Sequence, residues 1–480
     1  MTPFDEAVER SLPGFLERQR WFGGKGRAIR AVTIDDVVDL APEGGDALVI
    51  CGVAYADGVR DRYLLLLGAR QDPGRLPAVV RPEPGQTGWI VECTGDAASA
   101  GRLLAGFAAG ARLPTRRGGV LEYGDTGDRA RRVMGDVMPP VTPVGAEQSN
   151  TSLRVGREFI FKLFRRLDTG ENPEVEVGRF LAARTSFRDT PSLEGSITYH
   201  GPSGEASTVG VLQGWLECVG DGWTYICGAL ADAGRAGVAA PHLRNDMITL
   251  GTVTAEFHAA LASDATTPAF RPERVSSADM EAWSRGASDE LARVSALVGR
   301  TLSSWTGESR RMGEALLAAK ALPPAAPEPP ASVAPFSRIR IHGDFHLGQT
   351  LKTPAGFALI DFEGEPAKPL AQRRGKACAL RDVAGMLRSF EYAIETAAAG
   401  DAGQAVRLRT LVDLRGPFLD AYLEASARLQ AGIVPGDRAT VTHWLRVFEL
   451  EKALYELDYE IHNRPTWVPI PLRGILAALS

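Results

Sequence analysis

Two short apolar segments that each end in a polar cluster constrain this sequence more than any other feature. The first covers residues 339–349 and the second covers residues 357–363. Each begins with β-branched or aromatic residues and continues into a polar cluster, which indicates a short strand followed by a loop. We therefore expect the residues that follow these two strands to form a functional site.

The residue types in these clusters are those that phosphoryl transfer requires. One carboxylate orients or deprotonates the attacking hydroxyl, and other oxygen ligands hold Mg²⁺ against the nucleotide phosphates. Asp344 and Gln349 have the spacing D-x-x-x-x-Q, which parallels the D-x-x-x-x-N of the kinase catalytic loop. Asp361 opens a D-F-E segment in the place of D-F-G. We predict Asp344 as the catalytic base, and Gln349 and Asp361 as ligands of Mg²⁺.

Three other polar residues in the clusters allow two interpretations each. Glu363 either supports a second metal position or only shapes the loop. His342 and His346 could form a zinc pair, but no third or fourth ligand lies near them in the sequence. We therefore expect the two histidines to hydrogen-bond the backbone and to hold the turn.

A lysine within an apolar strand predicts the nucleotide-binding part of the site. Strand alternation places Lys162 on the same face as Ile160 and Phe164. A buried lysine is costly unless it is paired, and ATP phosphates with a helix glutamate would pair it, as in the kinase Lys–Glu couple. The alternative is a lysine on the solvent face of the strand. The partner is expected on the next helix, where we favour Glu176 over Glu174.

The loop that precedes this strand contains no glycine, so it matches neither a kinase Gly-rich loop nor a Walker A motif. Its side chains and backbone N–H groups could still contact phosphates. The candidates are Ser149, Asn150 and Thr151.

The helix predicted over residues 448–463 has one apolar stripe and one polar stripe. A face of Lys, Glu, Tyr and Asn suits a carbohydrate, because carboxylates and amides bind hydroxyls and aromatic rings stack on sugar faces. The alternative is a solvated charged face. The predicted sugar ligands are Lys452, Tyr455, Glu456, Tyr459, Asn463, Arg464 and Trp467.

Composition excludes several other functions. Lys plus Arg is 54 and Asp plus Glu is 59, for a net charge of −5, which disfavours a broadly basic nucleic-acid binder. The longest apolar stretches, such as residues 47–55, fall short of the roughly 18–20 residues that a membrane helix needs. The N-terminus lacks an apolar signal segment, and the cysteines lack zinc or CxxC spacing. We expect a cytoplasmic protein with no nucleic-acid or membrane partner.

The pattern of apolar residues predicts a mostly β N-terminal region and a mostly helical C-terminal half. A proline-rich stretch at residues 321–335 is expected to be a surface loop, the alternative being a PxxP docking motif. We predict helices at 4–19, 96–110 and 286–319, and strands at 31–39, 47–55, 63–67 and 338–342.

The whole chain resembles the bacterial maltokinase family, within the aminoglycoside-phosphotransferase-like, eukaryotic-type kinase fold. The more specific pieces are RQRWFGGK at residues 18–25 and NRPTWVPIPL at residues 463–472, which separate this family from the antibiotic kinases. The other matching pieces are residues 147–152, 161–167, 221–223, 342–349, 361–366 and 380–389.

The resemblance implies an α+β, bilobal protein-kinase-like fold. It implies an N-terminal β-rich cap subdomain at residues 1–95, an intermediate subdomain at 96–215 that completes the N-lobe, and a mostly helical C-lobe at 216–480. The adenine would bind at a hinge, largely through backbone groups; the hinge residues would be Gln213, Trp215 and Leu216. Lys162 would contact the ATP phosphates.

The activity that the resemblance implies is ATP-dependent phosphorylation of maltose at its anomeric hydroxyl, giving maltose 1-phosphate for α-glucan synthesis. A kinase of the same fold for glucosamine or glucose is the alternative. A pseudokinase should lack Lys162, Asp344 or Asp361, and all three are present. Contact with an enzyme of the trehalose-to-glucan route would give residues 18–25 a docking role; otherwise this run packs a helix end on the sheet.

Overall fold

The computed structural model divides the chain into two compact units. One unit comprises Met1–Ala182 and Pro191–Leu216, and the other comprises Ala183–Thr190 and Glu217–Ser480. The structure describes residues 3–40, 45–82, 88–145, 149–236, 241–319, 335–397 and 404–480.

The first unit combines short helices with most of the strands. Its elements in chain order are α1 (Pro3–Glu17), β1 (Ile29–Asp39), β2 (Asp46–Tyr55), β3 (Arg60–Arg70), β4 (Ala78–Val80), β5 (Trp89–Glu92), α2 (Ala97–Leu104), α3 (Gly106–Ala109), β6 (Arg112–Pro114), β7 (Val120–Gly124), α4 (Asp128–Asp136), β8 (Val141–Pro143), β9 (Asn150–Val155), β10 (Phe159–Phe164), α5 (Pro173–Arg184), β11 (Leu193–His200) and β12 (Ala206–Gly214).

Within the described residues, these strands form two antiparallel sheets. The five-stranded sheet has the order β1-β2-β3-β5-β4, and the seven-stranded sheet has the order β6-β7-β11-β12-β10-β9-β8. Strands β2 and β3 are buried on both faces, because strand alternation sends successive side chains into two different cores. Val49 and Leu65 pack with α1, whereas Leu48 and Leu64 join a core shared with the seven-stranded sheet.

The aromatic residues of the segment 18–25 pack inside the first unit. Trp21 and Phe22 are buried, and their ring centroids lie 6.1 Å and 5.0 Å from that of Tyr63. This placement confirms the packing interpretation and contradicts a docking surface built from these two rings. The helix predicted at 4–19 is also confirmed within two residues at each end.

The single helix predicted at 96–110 is wrong, since α2 and α3 are separate. The hydroxyl of Tyr123 donates to the backbone oxygen of Leu103 at 2.6 Å. That carbonyl therefore bonds a side chain at the point where the helix is interrupted. An added Cβ at Gly106 would clash with the Tyr123 ring, so a glycine lets the ring approach.

The second unit is mainly helical. Its elements are β13 (Gly220–Asp221), α6 (Gly222–Ala236), α7 (Pro241–Leu261), β14 (Glu273–Arg274), α8 (Ser277–Thr301), α9 (Gly307–Ala318), β15 (Ser337–Arg338), β16 (Thr350–Thr353), β17 (Gly356–Leu359), α10 (Leu370–Arg373), α11 (Leu380–Ala397), α12 (Gln404–Arg428), α13 (Arg438–Asn463) and α14 (Pro469–Leu479), with 3₁₀ turns at Leu302–Ser304, Leu347–Gln349 and Pro465–Trp467.

The helix predicted at 286–319 is two helices, α8 and α9. Helix α8 begins earlier, because Ser276 and Asp279 form a capping box at its N-terminus. It ends near Thr301, whose backbone oxygen accepts a hydrogen bond from the hydroxyl of Ser304. Gly307 then adopts a φ of 58°, a left-handed conformation that cannot occur inside a continuous right-handed helix.

Two further sequence expectations need correction or fall outside the description. The strand predicted at 338–342 is only β15, which pairs with β14 over two residues. The proline-rich stretch 321–335 lies outside the described residues except for Pro335. None of the helices in the described ranges is both long and apolar enough to cross a membrane.

Candidate active site

The predicted base and one predicted sugar ligand form an ion pair in the second unit. The Nζ atom of Lys452, on α13, lies 3.2 Å from Oδ1 of Asp344, and the two side chains are 25% and 21% exposed. Burial alone would raise the pKa of Asp344, but the positive charge of Lys452 and its hydrogen bond to the carboxylate oppose burial, and the net effect of the surroundings lowers that pKa below its ordinary value. Asp344 is therefore an ionised carboxylate at neutral pH.

The ammonium group of Lys452 is held in its charged form by the same contact. Burial lowers its pKa, and the neighbouring carboxylates of Asp344, Glu456 and Glu365 raise it more strongly. The net shift is upward, so Lys452 carries its positive charge throughout the neutral range. A proton acceptor and a fixed cation thus lie side by side.

A second carboxylate, Asp382, fixes the backbone immediately before Asp344. It is 2% exposed and accepts hydrogen bonds from the N–H groups of His342 at 2.7 Å and Gly343 at 2.9 Å. Its Oδ2 atom also lies 3.1 Å from Nε2 of His258, whose Nδ1 lies 3.0 Å from the Tyr422 hydroxyl. This buried chain of polar groups orients the loop that carries Asp344.

The two loop histidines bind backbone groups, as the turn-holding interpretation predicts. Nε2 of His342 lies 2.9 Å from the backbone oxygen of Ile360, and Nδ1 of His346 accepts from the Gly348 N–H at 3.1 Å. Burial lowers the pKa of His346, which keeps its imidazole neutral and able to accept. Within the described ranges, no group of three or more His, Cys, Asp or Glu side chains is placed to hold a metal ion.

The predicted Mg²⁺ ligands lie together in the second unit. Nε2 of Gln349 donates to Oδ2 of Asp361 at 2.9 Å. Asp361 has a φ of 68°, a strained backbone position that clusters at functional sites. Mg²⁺ prefers oxygen ligands and commonly uses one or two protein groups with water and phosphate oxygens. The carboxylate of Asp361 beside the amide of Gln349 therefore fits Mg²⁺.

A cavity of about 490 Å³ opens beside Asp344. Lys452, Tyr455 and Glu365 line the end near Asp344, and the Lys452 ammonium lies 5.2 Å from the centroid of the Tyr455 ring. The remaining walls of the cavity come from α8, α11, α13 and the loop around α10, and they include Arg381 of α11. The cavity is large enough for a small saccharide.

Only part of the predicted sugar face lies at this cavity. Lys452 and Tyr455 line it. Glu456 instead bonds the buried guanidinium of Arg388, with Oε2 at 2.7 Å from Nη2. The single polar stripe of α13 therefore divides into a cavity-lining part and a structural part.

The C-terminal end of that face packs on itself. Asn463 donates from Nδ2 to the backbone oxygen of Tyr459 at 2.9 Å. Arg464 lies 4.9 Å from the Trp467 ring, and Trp467 stacks on Tyr392 with a centroid distance of 5.9 Å. None of these five residues lines the cavity beside Asp344. Four of them, Tyr459, Asn463, Arg464 and Trp467, were predicted as sugar ligands; they do not line this cavity, and their contact with a sugar stays a prediction.

The predicted nucleotide residues lie in the first unit. Lys162 is half-buried in β10, opposite Val211 and Ser152 of the flanking strands. Both candidate glutamates on α5 are buried, and Glu174 accepts from Nε2 of Gln213 at 2.8 Å. The assignment of Glu176 as partner of Lys162 stays a prediction.

Gln213 is the second-last residue of β12, the strand that leads into the predicted hinge, and its role in adenine binding stays a prediction. It lies within β12, opposite Ile160 on one side and Leu193 on the other. The N–H of Trp215 donates to the backbone oxygen of Glu158 at 2.8 Å. The backbone N–H of Trp215 is therefore engaged within the first unit, and the assignment of Gln213, Trp215 and Leu216 to adenine binding stays a prediction.

The predicted phosphate loop is described only in part, since residues 147 and 148 lie outside the described ranges. Thr151 is buried, and its hydroxyl accepts from Nε of Arg165 at 2.7 Å, so it faces the interior instead of a phosphate. Asn150 donates from Nδ2 to the Ser149 hydroxyl at 3.3 Å. These two residues remain predicted phosphate contacts.

Sequence reasoning missed the positioning role of Asp382 and the cavity residues Glu365, Arg381 and Glu451. Asp382 had a usable signal, because it lies on the apolar face of the sequence LRDVAGML, where an unpaired carboxylate would be costly. Glu365 and Arg381 lie in pieces that match the family, at residues 361–366 and 380–389, but no local pattern marks these two or Glu451 as cavity residues, since charges on helices and loops are common.

The two units and this site define a protein of the bilobal kinase-like class with an added β-rich region, so the predicted fold class is confirmed by the comparison with solved structures. A glucosamine kinase in complex with glucosamine, ADP and inorganic phosphate aligns with a TM-score of 0.61 and 23% identity, covering 100% of both chains. A second crystal form of a glucosamine kinase aligns with a TM-score of 0.63.

The resemblance to the maltokinase family is also confirmed. Residues 15–96 match the family model of the maltokinase N-terminal cap domain. A glucosamine kinase of Streptacidiphilus jiangxiensis is 29% identical over 336 residues, 68% of this chain and 70% of that protein. A glucosamine kinase of Mycolicibacterium smegmatis is 28% identical over 341 residues, 70% of this chain and 79% of that protein.

Proposed function

We propose that this protein is an ATP-dependent sugar kinase with Asp344 as its catalytic base. The observation that carries the proposal is the ionised Asp344 carboxylate, paired with Lys452 at 3.2 Å and facing a cavity of about 490 Å³. The similarity to glucosamine kinases over two thirds of the chain supports the same class of reaction.

The side chains act by positioning and by proton transfer. Asp344 accepts the proton of the sugar hydroxyl, whose oxygen bonds the γ-phosphorus of ATP as the bond to the β-phosphate oxygen breaks and ADP leaves. Lys452 holds the carboxylate in place and ionised, and Asp382 holds the loop backbone. Gln349 and Asp361 would hold Mg²⁺, which supplies charge neutralisation at the phosphates. Lys162 is the predicted contact of the ATP phosphates.

The acceptor that we propose is maltose, phosphorylated at its anomeric hydroxyl to give maltose 1-phosphate for α-glucan synthesis. The cap match supports this choice. The charges at the cavity support it too: Asp344 faces Lys452, Glu451 faces Arg381, and Glu365 lies 2.7 Å from the ammonium of Lys368. Such pairing favours a neutral sugar over an ammonium-bearing one.

Glucosamine is the second candidate, because both relatives reported above are named glucosamine kinases. Its ammonium group would need a carboxylate that is not already neutralised. Glu365 is the carboxylate best placed for this, since its partner Lys368 is a surface side chain, 48% exposed.

The test is a coupled ADP-release assay with Mg·ATP and maltose, glucosamine, glucose, trehalose or no sugar, with phosphorus NMR of the product. We expect maltose-dependent release and an anomeric phosphate signal. Asp344→Asn should lower kcat by about 100- to 10,000-fold while ATP still binds. ADP release with glucosamine alone would mean that glucosamine, and not maltose, is the acceptor. No ADP release with any of the sugars would refute the proposal.

Two further parts of the proposal concern the cell. The protein would act in the cytoplasm, where ATP is available. It would supply its product to α-glucan synthesis, and contact with an enzyme of the trehalose-to-glucan route stays a prediction that a pull-down with that enzyme would test.

A further inference from the structure

We propose that Arg388, on α11, is a positioning residue that holds Glu456 away from Lys452. The ammonium of Lys452 is then left to pair with Asp344, whose role as the catalytic base rests on the proposed function. All four residues belong to the second unit. Arg388 does not line the cavity beside Asp344, so it acts on the reaction through Glu456 and Lys452 and not on the sugar.

Three carboxylates compete for the ammonium of Lys452. Burial lowers the pKa of this ammonium, and the carboxylates of Asp344, Glu456 and Glu365 all lie near enough to raise it. In the described part of the chain, the ion pair of Lys452 is with Asp344, at 3.2 Å. Glu365 pairs instead with Lys368, at 2.7 Å. The contact between Lys452 and the base therefore depends on what holds Glu456.

Glu456 is the strongest competitor by its place on the helix. It follows Lys452 by four residues within α13, the spacing at which side chains on one helix face meet and oppositely charged residues pair. Such a pair would draw the ammonium along α13 and away from Asp344. A second cation close to Glu456 is needed to prevent it.

The guanidinium of Arg388 supplies this cation. Its Nε and Nη2 atoms both donate to Oε2 of Glu456, at 3.0 Å and 2.7 Å. Arg388 is 1% exposed, and its Nη1 atom donates to Glu391 one turn further along α11. A buried ion pair is costly to break, because the remaining charge is left without a partner. Glu456 is therefore fixed towards α11, and Lys452 keeps Asp344 as its partner.

A glycine on α14 leaves room for this guanidinium. Gly474 lies inside α14, where glycine is a poor helix former. An added Cβ at Gly474 would overlap Nη1 of Arg388. The guanidinium would have to move to accept a methyl group there. Gly474→Ala is thus a way to displace Arg388 without removing its charge.

The test is a double-mutant cycle between Arg388→Met and Lys452→Met in the full-length protein, with kcat for ADP release as the readout. The acceptor is the sugar that the wild type phosphorylates. Arg388→Met should lower kcat roughly tenfold, because Glu456 then pairs with Lys452 and the base loses its partner. In the Lys452→Met background the same change should alter kcat less than about twofold. A purely structural arginine would lower kcat in both backgrounds.

Three variants control for the loss of a buried ion pair. Glu391→Gln removes another partner of the same guanidinium and should leave kcat within about twofold of the wild type, although it lowers stability. Arg388→Met/Glu456→Gln should recover most of the lost kcat, because a neutral amide does not compete for the ammonium of Lys452. Gly474→Ala should reproduce part of the loss, and it replaces Arg388→Met in the cycle if circular dichroism shows that Arg388→Met is unfolded.

A crystal structure of Arg388→Met gives a readout that does not depend on activity. We expect Nζ of Lys452 within about 4 Å of the Glu456 carboxylate and farther from Asp344 than in the wild type. An unmoved Lys452, an unchanged kcat, or an equal loss of kcat in both backgrounds would overturn the positioning role. A displaced Lys452 in a protein whose wild type releases no ADP with any sugar would refute the proposed function and leave the positioning role standing. Sugar-dependent ADP release by the wild type, with Lys452 unmoved in the variant, would do the reverse.

Discussion

Lys452 and Asp344, 108 residues apart in the chain, form an ion pair with 3.2 Å between Nζ and Oδ1. The loop after a short strand supplies one partner and helix α13 supplies the other. The pair lowers the pKa of the carboxylate that we propose as the base, so it sets the lower pH limit of activity. It also places a cation where the acceptor hydroxyl would bind.

Replacing Lys452 with Met should shift the acidic limb of the pH–kcat/KM profile to higher pH. Asp344 has a lowered pKa in the folded protein, so its basic form is present above that pKa and is lost as the pH falls through it. Without Lys452, burial remains and raises the pKa. We expect a shift of about one pH unit or more, measured under saturating Mg·ATP.

An exposed cation that does not line the cavity provides the control for this prediction. Arg310→Met, on α9, removes a positive charge that pairs with Glu314 and is 52% exposed. It should leave the acidic limb in place. An identical limb in Lys452→Met and the wild type would show that Lys452 does not set the ionisation of Asp344.

Asp361→Asn should raise the Mg²⁺ concentration needed for half-maximal activity. The change removes a formal charge from the Gln349–Asp361 pair, and carboxylates bind hard cations more strongly than amides do. A Mg²⁺ titration at fixed ATP measures the effect, and excess chelator should abolish activity in the wild type. Unchanged Mg²⁺ dependence in Asp361→Asn would mean that the metal binds elsewhere.

Local sequence patterns were sufficient to predict which residues of the two loops lie together. Their spacing singled out Asp344, Gln349 and Asp361, and the structure brings Gln349 to 2.9 Å from Asp361, while the roles of the three residues stay predictions. The apolar stripe of α13 is confirmed as well, since Leu450, Leu454 and Leu457 are buried. These features follow from nearest neighbours and helical periodicity, which a single sequence contains.

Features that depend on distant partners were not predictable in the same way. The polar stripe of α13 reads as one face, yet Glu456 turns to the buried Arg388 whereas Lys452 turns to Asp344. Nothing near these residues in the sequence distinguishes them. The resemblance likewise placed Gln213 at a hinge, and only its pairing with Ile160 and Leu193 shows that it lies within a strand of the sheet.

Asp382→Asn should lower kcat roughly 100-fold, because a small displacement of the catalytic loop is costly in rate. The Asp382 carboxylate accepts two backbone N–H groups, and an amide can offer only one oxygen to them. The free energy of unfolding should fall by about 1.5–3 kcal/mol. Steady-state kinetics and denaturant unfolding measure the two effects.

Tyr422→Phe tests whether the effect of Asp382 is local to the loop. Tyr422 contacts His258, at the outer end of the same buried chain, at 3.0 Å. Removal of the Tyr422 hydroxyl should lower the free energy of unfolding by about 1 kcal/mol and leave kcat within about threefold of the wild type. A kcat loss as large as that of Asp382→Asn would show that the whole chain, and not the carboxylate, positions the loop.

Tyr455→Ala and Trp467→Ala should separate the cavity from the rest of the predicted sugar face. Tyr455 lines the cavity near Asp344, so its removal should raise the KM for the sugar roughly three- to tenfold while the KM for ATP is unchanged. Trp467 stacks on Tyr392 at 5.9 Å outside the cavity, so its removal should lower the melting temperature and leave the sugar KM within about twofold. The measurement is steady-state kinetics with each substrate varied in turn. A sugar KM that rises in Trp467→Ala as much as in Tyr455→Ala would restore the extended sugar face over residues 452–467, because a merely structural tryptophan would not affect sugar affinity selectively.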